Sequence, residues 1–437
     1  MAELSSEWNN EAYVSLHLVE EMLRMAGLPS RSSYSHWYPQ YKIENLKGSK
    51  KWWVDFYIED WSRYINFLIE VKSAKNPIND QARHQLYTYL HHSQIRFGLI
   101  IDPFLIEIYE YNKSRFNLKA KYEIKDPYQV KFIAQFLVRI LELIKMRTIS
   151  IHTSKGGVGK TTLVVNLAYE LAKLGNRVLV VDLDDQANAS LVLGVNKADE
   201  IDNALSLEAV EQILNEFAGR KEIIDFLKVD KTIGFNYKDY LLTSKFNQYL
   251  NHISGKIDVI PGSYRTKDNE IGNTPYRQEL LNKGLQNIAN DYDYVIIDTP
   301  PSYTDITWNG VMAAQYMVIP SQMEYLSAYG INNPIKQVKP VEQNTNGKRG
   351  KIIGIAPMMT KDTNLNKTIK ELVKHRFYPI PILTEIQNST YVGEALKDRQ
   401  PMSVYADYTG KGKNIALQFL NLTQEIVATI DKIEAVV

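Results

Sequence analysis

A glycine-rich loop at positions 154–162, Ser-Lys-Gly-Gly-Val-Gly-Lys-Thr-Thr, carries residues suited to phosphate chemistry. A short β-like run, 148–152, precedes it, and a run with helical spacing, 163–172, follows it. In that setting the glycines let backbone N–H groups point inward at phosphate oxygens, and the helix N-terminus adds its positive end. Lys160 would reach the β- and γ-phosphates, and the Thr161 hydroxyl would ligate magnesium. A glycine turn that binds nothing is the plain alternative.

The loop departs from the ordinary pattern G-x-x-x-x-G-K-[ST] at its first position, where Ser154 replaces glycine, and it has an additional lysine, Lys155. This form resembles the deviant P-loop of the ParA/MinD family of partition and positioning ATPases. The resemblance implies hydrolysis of ATP to ADP and phosphate with Mg²⁺, in a sandwich homodimer where Lys155 crosses to the partner's nucleotide. Lys155 and Lys160 would then be catalytic. The predicted nucleotide-binding residues are Lys155, Gly156, Gly157, Val158, Gly159, Lys160, Thr161 and Thr162.

Two further apolar runs end in carboxylates. The run 178–183 contains Asp182 and leads to Asp184, and the run 294–297 leads to Asp298. Carboxyl ends of parallel strands converge where an open α/β sheet places its ligand. By the same resemblance, Asp184 positions or activates the attacking water, Asp182 lies near the metal, and Asp298 holds the magnesium shell with Thr161. An N-cap cluster for the next helix is the alternative for the first pair.

A second constellation lies near the N-terminus. Asp55 falls in one β-like run, 52–58, and Glu70 and Lys72 end the next, 65–72. Paired carboxylates can hold Mg²⁺, and a lysine beside them can polarise the attacking water. This D…E-x-K pattern, with Gln85 and Tyr89 on the following helix, resembles the PD-(D/E)XK nuclease fold, and in particular the N-terminal domain of type I restriction motor subunits. A solvated Glu-Lys pair on a strand, or a domain that only binds DNA, are the alternatives.

Composition narrows the class of protein. The chain has 437 residues, a net charge of +1 and no cysteine. The absence of cysteine excludes a disulfide framework, a thiolate zinc site and a cysteine nucleophile. No apolar run approaches the ~20 residues of a membrane span, and the polar N-terminus is unlike a signal peptide, so we expect a cytoplasmic protein with no membrane contact, for which association with the nucleoid stays open. Because the overall charge is small, DNA binding must come from local patches. The resemblance implies non-specific binding of DNA by the ATP dimer through basic residues near the C-terminal part of the fold, for which Lys397, Arg399, Lys411 and Lys413 are candidates.

The pattern of elements predicts an α/β protein of two domains. Residues 1–147 are expected to form a smaller mixed-sheet nuclease-like domain. Residues 148–437 are expected to form a P-loop NTPase with a mostly parallel sheet and helices on both faces. Predicted helices cover 7–25, 80–92, 128–145, 364–375, 393–397 and 413–436. Two apolar helices, 207–217 and 240–253, are also predicted in the least regular segment, 199–264.

Two functions fit these motifs. In the first, the protein is a DNA-associated ATPase that acts in plasmid or chromosome partition or in cargo positioning, with a ParB-like protein or a cargo adaptor as its partner. In the second, it is an ATP-gated, metal-dependent DNA nuclease that uses the N-terminal domain. The first is favoured because its motifs are more specific.

Overall fold

The computed structural model describes residues 4–32, 35–43, 52–112, 115–195, 206–209, 219–229, 235–251, 253–272, 276–345 and 347–435. The chain divides into two compact units, one formed mainly by Met1–Met146 and the other mainly by Arg147–Ile288 and Tyr292–Val436. That residues 1–147 form a nuclease-like domain and residues 148–437 a P-loop NTPase domain stays a prediction. None of the described helices is both long enough and apolar enough to cross a membrane.

The first unit is built on a six-stranded mixed sheet whose strands lie side by side in chain order. Its strands are β1 Ser35–Ile43, β2 Trp52–Asp60, β3 Ile65–Val71, β4 Phe97–Ile101, β5 Leu105–Asn112 and β6 Arg115–Glu123. The pair β3 and β4 is parallel, because helix α3 (Asp80–Ser93) carries the chain from the end of one to the start of the other. All other neighbours are antiparallel.

Helices cover both faces of this sheet. On one face α1 (Glu11–Val14), a π-helical turn, α2 (Glu20–Met25) and α4 (Val130–Ile144) bury residues such as Leu23 and Leu137 against Phe56. On the other face α3 buries Leu86 against Leu68. The helices predicted over 80–92 and 128–145 are confirmed, and the helix predicted over 7–25 is confirmed from Glu11 to Met25, after a separate 3-10 turn at Ser6–Asn9. Strands β1 and β6 were not predicted.

The second unit contains an eight-stranded sheet with the order β14-β13-β12-β7-β11-β8-β10-β9. Its strands are β7 Arg147–Ile151, β8 Arg177–Asp182, β9 Leu242–Thr243, β10 Lys256–Ile260, β11 Tyr294–Asp298, β12 Tyr316–Ser321, β13 Lys351–Thr360 and β14 Ile386–Gln387. Seven strands are parallel, and β9 is the antiparallel edge. The mostly parallel α/β prediction is confirmed.

Helices of the second unit lie on both faces of its sheet. They are α5 Lys160–Lys173, α6 Asn188–Val192, α7 Ile223–Lys228, α8 Asp268–Ile271, α9 Leu280–Gln286, α10 Asp305–Ala313, α11 Ser327–Asn344, α12 Asn364–Arg376, α13 Thr390–Lys397, α14 Met402–Thr409 and α15 Lys413–Ala435. On one face Leu167 of α5 and Phe419 of α15 share a core with the sheet. On the other, Val338 of α11 and Ile369 of α12 do so. The strands, buried on both sides, are accordingly near-continuous apolar runs.

Two helices were predicted in the least regular segment, over 207–217 and 240–253. The helix predicted over 240–253 is wrong, because the segment consists of two 3-10 turns flanking the short strand β9, which pairs with β10. Ser244 caps the second turn through the backbone N–H of Phe246, and this side chain–backbone bond competes with helix formation. Most of the helix predicted over 207–217 lies outside the described residues.

Candidate active site

The glycine loop joins the end of β7 to the start of α5. Gly157 and Gly159 have φ of +71° and +91°, a backbone region that L-side chains rarely adopt. A Cβ built on Gly156 or Gly157 would meet no described atom within 4 Å, so the loop borders open space. Val158 is buried and anchors the loop, while α5, a helix of 14 residues, begins at Lys160. The loop and the N-terminus of α5 therefore border an open space, the setting in which backbone N–H groups bind phosphate.

Thr161 and Asp298 meet beside the loop. The Thr161 hydroxyl donates a 2.8 Å hydrogen bond to Asp298 Oδ2. Among the described residues, the buried Asp298 Oδ1 has no hydrogen-bond partner. Burial raises the pKa of Asp298 well above its ordinary value, since a buried carboxylate without a cation is unfavourable. An orphaned carboxylate oxygen next to a threonine hydroxyl is a donor set that fits Mg²⁺.

Lys160 extends from the first turn of α5 and is only 7% exposed. Its Nζ lies 3.5 Å from the carbonyl oxygen of Lys155, at the outer limit of a hydrogen bond. Burial lowers the pKa of Lys160, and the negative charges of Asp298 and Asp184 oppose that shift. The ammonium group is thus held close to the loop by little more than a weak contact, which suits it to bind phosphate oxygens.

Asp182 is the last residue of β8, beside Asp298 of β11 in the sheet register. Its Oδ2 accepts hydrogen bonds from the backbone N–H and the hydroxyl of Ser190, at 2.8 and 2.7 Å, and its Oδ1 accepts one from the Asp184 N–H. Burial raises the pKa of Asp182 to about 6. Asp182 therefore attaches helix α6 to the sheet, a role similar to the helix-capping alternative given above. Its position near a metal ion stays a prediction.

Asp184 lies two residues beyond the end of β8 and is mostly buried. Its Oδ1 accepts a hydrogen bond from the Gln186 N–H at 3.0 Å, which fixes the carboxylate. Burial raises the pKa of Asp184, and the charge of Lys160 opposes the rise. A fixed carboxylate within electrostatic reach of Lys160 is able to accept a hydrogen bond from a water molecule at the loop.

Lys155 points along the protein surface. Its Nζ donates to Gln322 Oε1 at 3.1 Å and to Glu324 Oε2 at 3.0 Å. Gln322 also contacts the carbonyl oxygen of Gly157 at 3.4 Å. The sequence analysis did not assign a role to Gln322 or Glu324. Both follow the carboxyl end of the buried strand β12, so the rule that identified Asp184 and Asp298 could have identified them.

The first unit brings together the residues of the D…E-x-K pattern. The pair Phe56–Ile69 is the last antiparallel pair between β2 and β3, so Asp55 and Glu70 are the next residues on the two strands. Asp55 Oδ2 accepts a 2.7 Å hydrogen bond from the Val71 N–H, and Lys72 Nζ donates to Glu70 Oε1 at 2.6 Å. Among the described residues, Glu70 Oε2 is buried without a partner. Burial, reinforced by Asp55, raises the pKa of Glu70 to about 7.

The helix motif lies near this cluster. Gln85 Nε2 donates to the Tyr89 hydroxyl at 2.7 Å across one turn of α3. The charges of Glu70 and Asp55 both raise the pKa of Tyr89, after burial, which places the phenol within electrostatic reach of the two carboxylates. In the described part of the chain, no three His, Cys, Asp or Glu side chains lie close enough together to hold a metal ion. Each candidate magnesium site therefore has at most two ligands of these residue types.

The candidate DNA-binding cations lie around α14. Lys397 ends α13, and Lys413 begins α15. Lys397, Lys411 and Lys413 are exposed, and Arg399 is half-buried. Their exposure is compatible with contact to phosphate groups.

Comparison with known proteins finds a family and several proteins to which this chain is similar. A family model described as "AAA domain" matches residues 146–349. The sporulation initiation inhibitor protein Soj of Bacillus subtilis is 32% identical over 285 residues, which cover 64% of this chain and 98% of that protein. The chromosome partitioning protein ParA of Myxococcus xanthus is 30% identical, covering 61% of this chain and 83% of that protein. The solved structure of an ATP complex of a Cyanothece McdA variant covers 64% of this chain and 96% of its own, with 18% identity and a TM-score of 0.51.

Proposed function

Because this chain belongs to the Soj/ParA family of P-loop ATPases, we propose that it hydrolyses ATP to ADP and phosphate to drive DNA partition or cargo positioning. The observation that carries the ATPase is the pair Thr161–Asp298 beside the glycine loop. Its orphaned, buried carboxylate oxygen needs a cation, and the open loop beside it needs an anion. Magnesium nucleotide supplies both charges at once.

Each residue of the second-unit site has a role in this reaction. Thr161 and Asp298 hold the magnesium ion, which neutralises phosphate charge when bound. Lys160 and the N–H groups of the loop bind the phosphates, and Asp184 orients the attacking water. Asp182 keeps α6 and the end of β8 in place behind these groups. The protein thus contributes positioning and charge, which is what phosphoryl transfer requires.

A homodimer completes the proposed cycle. The exposed Lys155 lies at the entrance of the loop, bound to Gln322 and Glu324 of its own chain. In the dimer it exchanges these partners for the nucleotide of the partner subunit. Hydrolysis removes that contact and returns the protein to monomers, so ATP controls the lifetime of the dimer.

ATP hydrolysis is the first experiment. Purified protein should release phosphate from ATP with Mg²⁺ and lose this activity with EDTA. Lys160→Ala should abolish turnover, whereas Lys173→Ala, on the exposed last turn of the same helix, should not. Turnover in Lys160→Ala equal to that of the wild type would exclude the loop as the catalytic site.

Binding to DNA is the second experiment. We propose that the ATP-bound dimer binds DNA without sequence preference through Lys397, Lys411 and Lys413, and that a ParB-like protein or cargo adaptor triggers its release. On this proposal the protein acts in the cytoplasm, on the nucleoid. Retardation of a DNA fragment should require ATP and weaken steeply with salt, because phosphate contacts release counterions. A shift that is equal with ADP would contradict ATP-controlled loading.

The first unit supports a second candidate function, metal-dependent cleavage of DNA. The observation that favours it is the buried, unpartnered Glu70 Oε2 beside Asp55 and Lys72. Asp55 and Glu70 would hold Mg²⁺, and Lys72 would orient the attacking water. Gln85 and Tyr89 would fix substrate or water on the side of α3. A nuclease-like domain that only binds DNA stays as the alternative.

A plasmid-cleavage assay separates these alternatives. It would use Mg²⁺ or Mn²⁺, with and without ATP, on the wild type, Lys72→Ala and the exposed control Lys75→Ala. Cutting that needs Lys72 but not Lys75 would establish the nuclease, and loss of cutting in Lys160→Ala would show that ATP gates it. Bound but uncut DNA in every sample would leave the first unit as a binding module.

A further inference from the structure

His152 is a buried side chain that none of the roles above uses. It follows β7 directly, at the point where the chain enters the glycine loop, and is 1% exposed. Its Nδ1 lies 3.0 Å from Thr299 Oγ1 and its Nε2 lies 2.8 Å from Gln337 Oε1. Thr299 is the neighbour of Asp298, and Gln337 belongs to α11. One imidazole therefore links three elements that surround the nucleotide site.

One tautomer of this imidazole fits the short contact between Thr299 and the backbone. With the Thr299 hydroxyl proton assigned to the carbonyl oxygen of Ile151, 2.9 Å away, Thr299 Oγ1 accepts from His152. Nδ1 of His152 must then carry a proton. Burial lowers the pKa of His152 to about 4, with a further contribution from Lys160, so the ring is neutral near pH 7 and its Nε2 is an acceptor.

The tautomer also decides the orientation of Gln337. An accepting Nε2 needs a donor, and the amide NH₂ of Gln337 is the group in reach. In the orientation with Oε1 next to the ring, the buried Gln337 Nε2 has no partner among the described residues. Rotating the amide by half a turn exchanges its oxygen and nitrogen, so that Nε2 donates to His152 and the oxygen takes the other position. The chain Gln337–His152–Thr299–Ile151 then runs with every proton assigned.

We infer that His152 and Gln337 are positioning residues of the ATPase reaction, an inference that rests on the proposed ATP hydrolysis. Their chain ties the segment that carries Asp298 to α11. The segment preceding α11 contains Gln322 and Glu324, which hold Lys155. The magnesium side of the site and the lysine that crosses to the partner are thereby coupled through one buried imidazole. This series of hydrogen bonds aligns both Asp298 and Lys155 for the hydrolysis step.

The kinetic test uses the full chain and removes the donor on α11. Gln337→Leu and Gln337→Met cannot donate to His152 Nε2, and Gln343→Leu, at an exposed position of the same helix, is the matched control. Single-turnover hydrolysis should slow on the order of tenfold in both Gln337 variants, while ATP affinity stays within about threefold, since the lost contact aligns the reacting groups without touching substrate. Gln343→Leu should match the wild type. Equal rates in the Gln337 variants and the wild type would overturn the inference.

A spectroscopic test does not depend on turnover. In ¹⁵N-histidine-labelled wild-type protein, the signal that disappears in His152→Gln should show the neutral tautomer with the proton on Nδ1. A proton on Nε2 would overturn the inference, because Gln337 could not then be the donor. A wild-type protein that binds and hydrolyses no ATP would overturn the proposed function itself, an outcome that the parallel wild-type assay separates from failure of the Gln337 variants.

Discussion

Lys155 Nζ lies 3.0 Å from Glu324 Oε2 of its own chain, and the two side chains are 38% and 58% exposed. The lysine that the family resemblance assigns to a partner subunit therefore makes an ion pair within its own chain. An ion pair this exposed contributes about 0–1 kcal/mol, because water screens it and two long side chains must be ordered. The contact is weak enough to be broken by dimerisation and strong enough to bias it.

Replacing Glu324 should favour the dimer. In Glu324→Gln the charge that holds Lys155 is lost in both subunits, so the ATP-dependent dimer should be tighter by up to about 30-fold, which corresponds to ~1 kcal/mol for each of the two ion pairs. Sedimentation of the ATP-bound protein at several concentrations measures the change. Glu342→Gln, at an exposed position of α11, serves as the control. A weaker dimer in Glu324→Gln would instead mean that Glu324 contributes to the interface.

The residues of the candidate nucleotide site could be proposed from the sequence because their signals are local. The loop 154–162, Asp184 and Asp298 each follow a buried apolar strand, and the fold of a parallel sheet brings such strand ends together. Glu70 and Lys72 were likewise identified by their position at a strand end. The hydrogen bonds between Asp182 and Ser190 of α6 were not predicted, because the two residues are eight positions apart and this spacing marks no motif.

Other features could not be read from local patterns. Helix α11 contains Pro334 and Pro340, residues that normally argue against a helix, and tertiary packing of Val338 and Ile331 overrides that preference. Strand β6 is different, because its apolar residues Phe116, Leu118, Ala120 and Tyr122 alternate with polar ones, a strand pattern that the sequence analysis did not use. The link between His152 and Gln337 joins residues 185 positions apart, and no periodicity predicts such a contact.

Alanine substitutions at the loop glycines should distinguish the cost of backbone strain from the cost of steric contact with the added Cβ. Gly157 has φ +71° and open surroundings, so Gly157→Ala should cost only the left-handed backbone penalty, roughly 1–2 kcal/mol. Gly159 has φ +91°, and a Cβ there would lie 3.2 Å from Met358 Cε, so Gly159→Ala should cost more. Gly393→Ala, in α13 with nothing within 4 Å, should be neutral or stabilising. Urea unfolding ranks the three variants, and equal losses at 157 and 393 would contradict the strain argument.

Ser190 should matter for stability out of proportion to its size. Its hydroxyl donates to Asp182 and accepts from the Gly262 N–H at 3.0 Å, and the residue is fully buried. Ser190→Ala leaves both groups without this partner, which should lower the free energy of unfolding by about 1–3 kcal/mol. Ser254→Ala, which removes only an exposed 3.5 Å contact, should have little effect. Urea denaturation of the two variants measures the difference, and equal stability would show that water replaces the hydroxyl.

The buried imidazole of His152 should make stability depend on pH. Its pKa is about 4 in the folded protein and 6.5 as the ordinary value, so between these values the unfolded chain binds more protons. The contribution is therefore fully present above pH 6.5 and is lost as the pH falls towards 4, by roughly 3 kcal/mol in all, since one pKa unit corresponds to about 1.4 kcal/mol. His152→Gln cannot take up the proton and should lose this part of the pH dependence. His375→Gln, at an exposed position of α12, should keep it. Urea titrations at about pH 4.5 and 7 on the wild type and both variants measure the effect, and an unchanged slope in His152→Gln would show that another group governs the acid sensitivity.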